Sequence, residues 1–184
     1  SLEPAALIGS YLTGIETDDV EAQSEPLQRL FLAMAAEGQG PLAEMIAERS
    51  SPEQAAALLA GLNGELAKRL ACQWAYNTGY IAPDGPENQG WSADEFTLLY
   101  KPIGHADPVM KAWMEFAVAA PAAADGAEAE RAGDMLDMFA DRRRGPGACS
   151  KCHALSDLSG EAEEETLAFK WQYYRDERRS QKFF

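Results

Sequence analysis

The sequence is poor in positive charge, in histidine and in long apolar runs, and each shortage argues against a class of function. Lys and Arg number 16 against 30 Asp and Glu, for a net charge of −14. A surface of that sign repels phosphates, which argues against nucleic acid; the acidity reads as a solvated surface, and a basic protein partner would suit it. The longest apolar run, Phe116 to Ala124, is short and broken by Pro121, so no segment reads as a transmembrane helix. The opening SLEP lacks an initiator methionine, no Lys or Arg precedes Arg29, and there is no apolar signal-peptide core. No internal repeat is evident. Hydrophobic residues at 46% and charged ones at 25% are ordinary globular composition, enough for one core.

Against these shortages, the stretch GPGACSKCHALSD from Gly145 to Asp157 concentrates two of the 3 cysteines and one of the 2 histidines. Cys149, Cys152 and His153 form C-x-x-C-H, which reads as a c-type haem attachment site. Each thiol adds across a haem vinyl group, sulfur to one carbon and hydrogen to the other, and the adjacent imidazole binds the iron from one side. Two other chemistries use part of this pattern. A dithiol redox pair expects a beta-alpha-beta setting and a helix opening at the first cysteine, and neither is visible here. A structural zinc site wants four ligands, and only Cys72 and His105 remain upstream.

The fold class reads as mainly α: a bundle of short amphipathic helices with a small extended or β element near the C-terminus. Leu7, Ile8, Tyr11, Leu12 and Ile15 fall at helical spacing, as do Leu27, Leu30, Phe31 and Met34 after Pro26, with Gly38 as a stop. A short segment carries Leu42, Met45 and Ile46. Ser51-Pro52-Glu53-Gln54 is a capping box that opens a stripe through Leu58, Leu59, Leu62, Leu66 and Leu70, with Asn63-Gly64 as a kink or a split. Asn77 to Gly90 reads as an irregular loop. FTLLYK, from Phe96 to Lys101, fits either a short strand or a helix end capped by Ser92 and Glu95. Asp107-Pro108 starts a helix through Val109, Met110, Trp113, Met114 and Ala117. Another runs through Ala132, Met135, Leu136 and Phe139 to Arg143, where GPG ends it and lets the chain come close to a flat ligand. In TLAFKWQYY, alternation of Leu167, Phe169, Trp171 and Tyr173 reads as a strand that FTLLYK would pair. The chain divides into a helical region, 1–78, and a haem-attachment region, 79–184, packed together as one domain. Glu161 to Glu165 reads as a solvated loop.

An iron held by His153 has a second axial position, and His105, in YKPIGHADPVMKAWM, is the only other histidine. Bis-histidine ligation by His153 and His105 is the first expectation. The alternatives are that His105 caps the following helix, or that Met110, Met114, Met135 or Met138 is the ligand, although methionines at helical spacing are more often core. Arg142, Arg143 and Arg144 are candidates to clamp haem propionates, or else favourable charges at a helix C-terminus. Trp74, Trp91, Trp113 and Trp171 would wall the porphyrin or fill the core. Cys72 reads as a buried small hydrophobe.

With the motif and His105 both placed, the chain resembles the periplasmic c-type cytochromes, and more loosely the proteobacterial multihaem proteins. The resemblance covers Cys149 to His153, and GHADPVMKAW is similar to a segment that precedes the first haem in such proteins. It implies electron transfer rather than catalysis, with haem c as cofactor, Cys149 and Cys152 as thioether positions, and a redox partner protein. The cofactor would be absent from protein made without haem-maturation machinery. The motif lies late in the chain, unlike that of the small soluble cytochromes, so the expectation is a larger exported protein, with a leader or membrane anchor before Ser1 and further haems beyond Phe184. Two other functions stay open: a haem enzyme or sensor with an open axial site, for which the motif offers no nearby proton-moving group, and a non-redox helical binding module in which the motif holds zinc or nothing.

Overall fold

The structure is a computed structural model that describes residues 4–16, 19–76, 88–94, 97–141, 143, 145, 149–150, 153–157 and 167–170. Most helix starts are set by a side chain that accepts from an otherwise unpartnered backbone N–H. Asp19 accepts from Ala22 N, Ser51 from Gln54 N, Asn63 from Glu65 N and Leu66 N, and Asp107 from Met110 N. These caps open α2 (Val20–Glu37), α4 (Pro52–Leu58), α5 (Gly64–Ala75) and α6 (Pro108–Ala119). The remaining helices are α1 (Pro4–Thr13), α3 (Gly40–Ala47) and α7 (Gly126–Ala140), with a 3-10 turn at Ala120–Ala123 around Pro121. The chain is thus mainly helical, as its periodicity predicts.

Helix α6 is the centre of the bundle. Eight of its side chains, Val109, Met110, Ala112, Trp113, Met114, Phe116, Ala117 and Val118, are buried, so it is packed on nearly every side. It lies against α4, α7 and β4 (Leu167–Lys170). Trp113 stacks on Phe139 of α7 at 6.2 Å, meets Phe116 edge-on, and donates its indole N–H to the Leu58 carbonyl at 3.1 Å. Truncating an aromatic side chain placed like this typically costs about 3–5 kcal/mol. Helices α2 and α5 pack together through Phe31 and Trp74, and α1 meets α6 through Tyr11 and Phe116. One buried cluster runs from Tyr11 to Phe139 and so draws on residues from both sides of position 78.

Several expectations are corrected, and two open alternatives are decided. The second helix begins at Val20, before Pro26, and carries that proline inside it. The carbonyl that loses its donor belongs to Ala22, which is exposed and so open to water. The leucine stripe is split rather than kinked, because Asn63 caps a new helix. Ile15 falls after α1, and α7 stops at Ala140 rather than Arg143. FTLLYK is the strand: β2 (Thr97–Lys101) pairs antiparallel with β1 (Gly90–Asp94), Trp91 opposite Tyr100. The C-terminal strand β4 pairs with β3 (Ala154–Asp157), which directly follows the motif, and not with FTLLYK. Most of the predicted loop 77–90, the Glu161 to Glu165 cluster, and Trp171 with Tyr173 lie outside the described residues.

Cys72 is exposed, not buried. Ala67, Leu70 and Ala71 form the buried face of α5, and a step of about 100° from Ala71 carries Cys72 off that face. A maleimide should therefore label Cys72 in the native protein without denaturant, and Cys72→Ser should change stability by no more than about 0.5 kcal/mol in a thermal melt.

Candidate functional site

The described part of the C-x-x-C-H motif, Cys149, Ser150 and His153, is tied to the C-terminal end of α7. The Asp141 carbonyl accepts from Gly145 N at 2.9 Å and from Ser150 Oγ at 3.2 Å, while the Asp141 carboxylate accepts from Arg143 N at 2.6 Å. A Cβ built on Gly145 would lie 2.5 Å from the Asp141 oxygen and 2.7 Å from that of Phe139. Only glycine lets the chain cross the helix end so closely. At Gly145 the chain therefore makes a close approach to α7. His153 N donates to the Cys149 carbonyl at 2.9 Å. Ser150 is buried, and Cys149 and His153 are half-buried, with Cys149 packed against the core. Cys152, Arg142 and Arg144 lie outside the described residues, and Arg143 is exposed.

The other histidine comes from the segment between β2 and α6. Asp107, only 5% exposed, accepts from Met110 N at 2.8 Å, from Ile103 N at 2.9 Å, and from the Tyr100 hydroxyl at 3.0 and 2.8 Å on its two oxygens. One carboxylate thereby ties β2, the start of the loop and the start of α6 to a single point. Burial alone would raise its pKa, but donors from Met110, Ile103, Tyr100 and Val109 outweigh burial and hold it below the usual carboxylate range. Tyr100 is pushed up to about 12 by burial, by its hydrogen bond to Asp107 and by that negative charge. Between His105 and Asp107, Ala106 has φ +62°, a left-handed conformation that costs a non-glycine residue roughly 1–2 kcal/mol. His105 itself is exposed, and Ile103, an apolar side chain 59% exposed, stands on the same loop.

A folded-state tyrosine pKa above its unfolded value favours the neutral phenol. The stability it contributes is present below pH 10, the ordinary tyrosine value, and disappears as pH rises through about 12. Thermal melts between pH 9 and pH 12 should show an alkaline loss of stability in wild type that Tyr100→Phe makes shallower.

The structure brings the two histidines together. Their ring centroids are 6.0 Å apart and their planes differ by 23°. The fit of this pair to a shared metal is simple to test. Metal–imidazole bonds are about 2.0–2.1 Å long, so two imidazoles that face one metal from opposite sides have centroids about 6 Å apart. The observed pair has that separation, with the rings stacked, and two imidazoles are a donor set suited to haem iron.

The competing roles of His105 and the methionines fare differently. Asp107, not His105, caps α6. Met110, Met114 and Met135 are buried in the core, and Met138 packs against it. Trp113 is core, Trp74 packs on Phe31, and Trp91 meets Tyr100 edge-on at 5.0 Å while donating to the Ala60 carbonyl at 3.0 Å. Among the described residues no group of three or more His, Cys, Asp and Glu is placed to hold a metal, and none of the helices is long and apolar enough to cross a membrane.

Tyr100, Asp107, Gly145 and Ser150 complete the site. The local signals for them were a helix cap at Asp107 and a turn at GPG; nothing in the sequence marks Tyr100 or Ser150, whose partners are distant or outside any motif. Comparisons with protein-family models, with curated proteins and with solved structures gave no match.

Proposed function

We propose that this chain is a c-type cytochrome module that carries electrons through one haem, attached at Cys149 and Cys152 and ligated by His153 and His105. The observation that carries the reading is the meeting of the only two histidines, at 6.0 Å and nearly parallel, one of them inside C-x-x-C-H. When bound, the haem supplies a one-electron couple, with an electron taken from a donor protein and passed to an acceptor. The chain's own residues do the rest. Cys149 and Cys152 would tether the porphyrin edge, each adding its sulfur to one vinyl carbon and its thiol hydrogen to the other. His153 is fixed by the turn that Ser150 and Gly145 anchor to α7, and His105 by the loop that Asp107 closes. Exposed Arg143, with Arg142 and Arg144, is suited to the propionates. His153 and His105 would both be taken up in holding the haem, which would leave no place for a substrate and favours a carrier over an enzyme or sensor. The acidic surface suits a basic redox partner, and the chemistry of attachment implies an exported, periplasmic protein.

The reading is tested by producing the protein in the periplasm with haem-maturation machinery and taking a pyridine haemochrome spectrum after acid-acetone extraction. A c-type band retained by the polypeptide is expected. Its absence from exported protein, with zinc found by metal analysis, would replace this reading by a zinc module.

A further inference from the structure

We infer that the Asp107 carboxylate is the positioning group for the second axial ligand: it closes the His105 loop before haem is bound, and loosening it opens the sixth position to small ligands. The inference rests on ligation by His105 as proposed above.

A helix cap needs one acceptor for one backbone N–H, and Met110 N supplies that at 2.8 Å. Asp107 does more. Its Oδ2 also accepts from Ile103 N at 2.9 Å and Tyr100 Oη at 2.8 Å, and both donors lie on the far side of His105 in the chain. The loop is thereby tied at its two ends to one buried group, with His105 between them. Ala106 is held at φ +62°, a conformation that persists in a non-glycine residue only where the surroundings over-determine it. The clamp is anchored in turn. Tyr100 packs against Trp91, and the Trp91 indole bonds to the Ala60 carbonyl between α4 and α5. His105, by contrast, is exposed, so its ring position depends on the backbone that carries it.

Asp107→Asn separates positioning from capping. Asparagine caps as well as aspartate, but its amide nitrogen is a donor where the Ile103 N–H needs an acceptor, while the Tyr100 hydroxyl can turn to accept. In the haem-free full chain, amide hydrogen exchange at Ile103 should be slow in wild type and faster by roughly tenfold or more in the variant, with Met110 still protected. In the ferric, haem-loaded protein, cyanide should bind roughly tenfold faster to Asp107→Asn than to wild type. That acceleration should vanish when Asp107→Asn is made in a His105→Ala background, where no ligand remains to be displaced. Should Asp107→Asn not accumulate, Tyr100→Phe, which removes one donor and leaves the cap, should show a smaller change of the same sign.

The inference is overturned if Asp107→Asn leaves cyanide binding at the wild-type rate, or accelerates it equally without His105. If His105→Ala alone accelerates binding while neither clamp variant does, ligation stands and positioning by Asp107 fails. If His105→Ala leaves binding unchanged, ligation fails and this inference falls with it.

Discussion

His105→Ala should convert the ferric haem protein from low-spin to high-spin and let carbon monoxide bind the reduced form and cyanide the oxidised one. The imidazole is exposed, its ring meets that of His153, and it does not cap α6. Its removal should therefore leave the fold within about 0.5 kcal/mol of wild type. The effect on the iron is of another order. With His105 as the proposed second ligand, an external ligand must wait for it to leave. If the open form is about 1% of the population, the apparent affinity is reduced about a hundredfold, and the variant regains that factor. A low-spin spectrum that survives the substitution would mean that another group fills the position.

The second large effect is expected far from either imidazole. Gly145→Ala places a Cβ 2.5 Å from the Asp141 carbonyl oxygen and 2.7 Å from that of Phe139. Both obstacles are backbone atoms at the end of a packed helix, so neither can rotate away as a side chain would. The chain must move. Overpacking of this kind typically costs about 1–3 kcal/mol, and the displaced segment is the one that delivers Cys149 and His153. Denaturant unfolding should show a loss of about 3 kcal/mol, and the fraction of exported chains carrying covalent haem should fall in parallel. A Ser150→Ala change, which removes one 3.2 Å bond to the same carbonyl, should act in the same direction and cost only about 1 kcal/mol.

What was legible in the sequence was local. Ser51 and Asp107 announce helix starts because a cap and its amide lie within three residues of each other, and the structure shows each bond. The apolar spacing of Val109, Met110, Trp113 and Met114 identifies a core helix for the same reason. What was not legible depends on distant partners. The pairing of β4 with β3 rather than with β2 is decided by where the bundle leaves each strand, and alternation in TLAFKWQYY says only that some partner exists. Cys72 was misread because residue type favours burial while its angular position on α5 does not. At the site, the two imidazoles could be nominated by counting histidines. Tyr100 could not be nominated, since its role exists only once the hairpin folds it over Asp107.

The central claim is that His105 and His153 share one iron, and low-temperature electron paramagnetic resonance of the ferric protein tests it most directly. Two imidazoles whose planes differ by only 23° should give a rhombic low-spin signal, which disappears in His105→Ala. A high-spin signal from correctly matured wild-type protein, or the strongly anisotropic low-spin signal of perpendicular ligand planes, would contradict the arrangement described here.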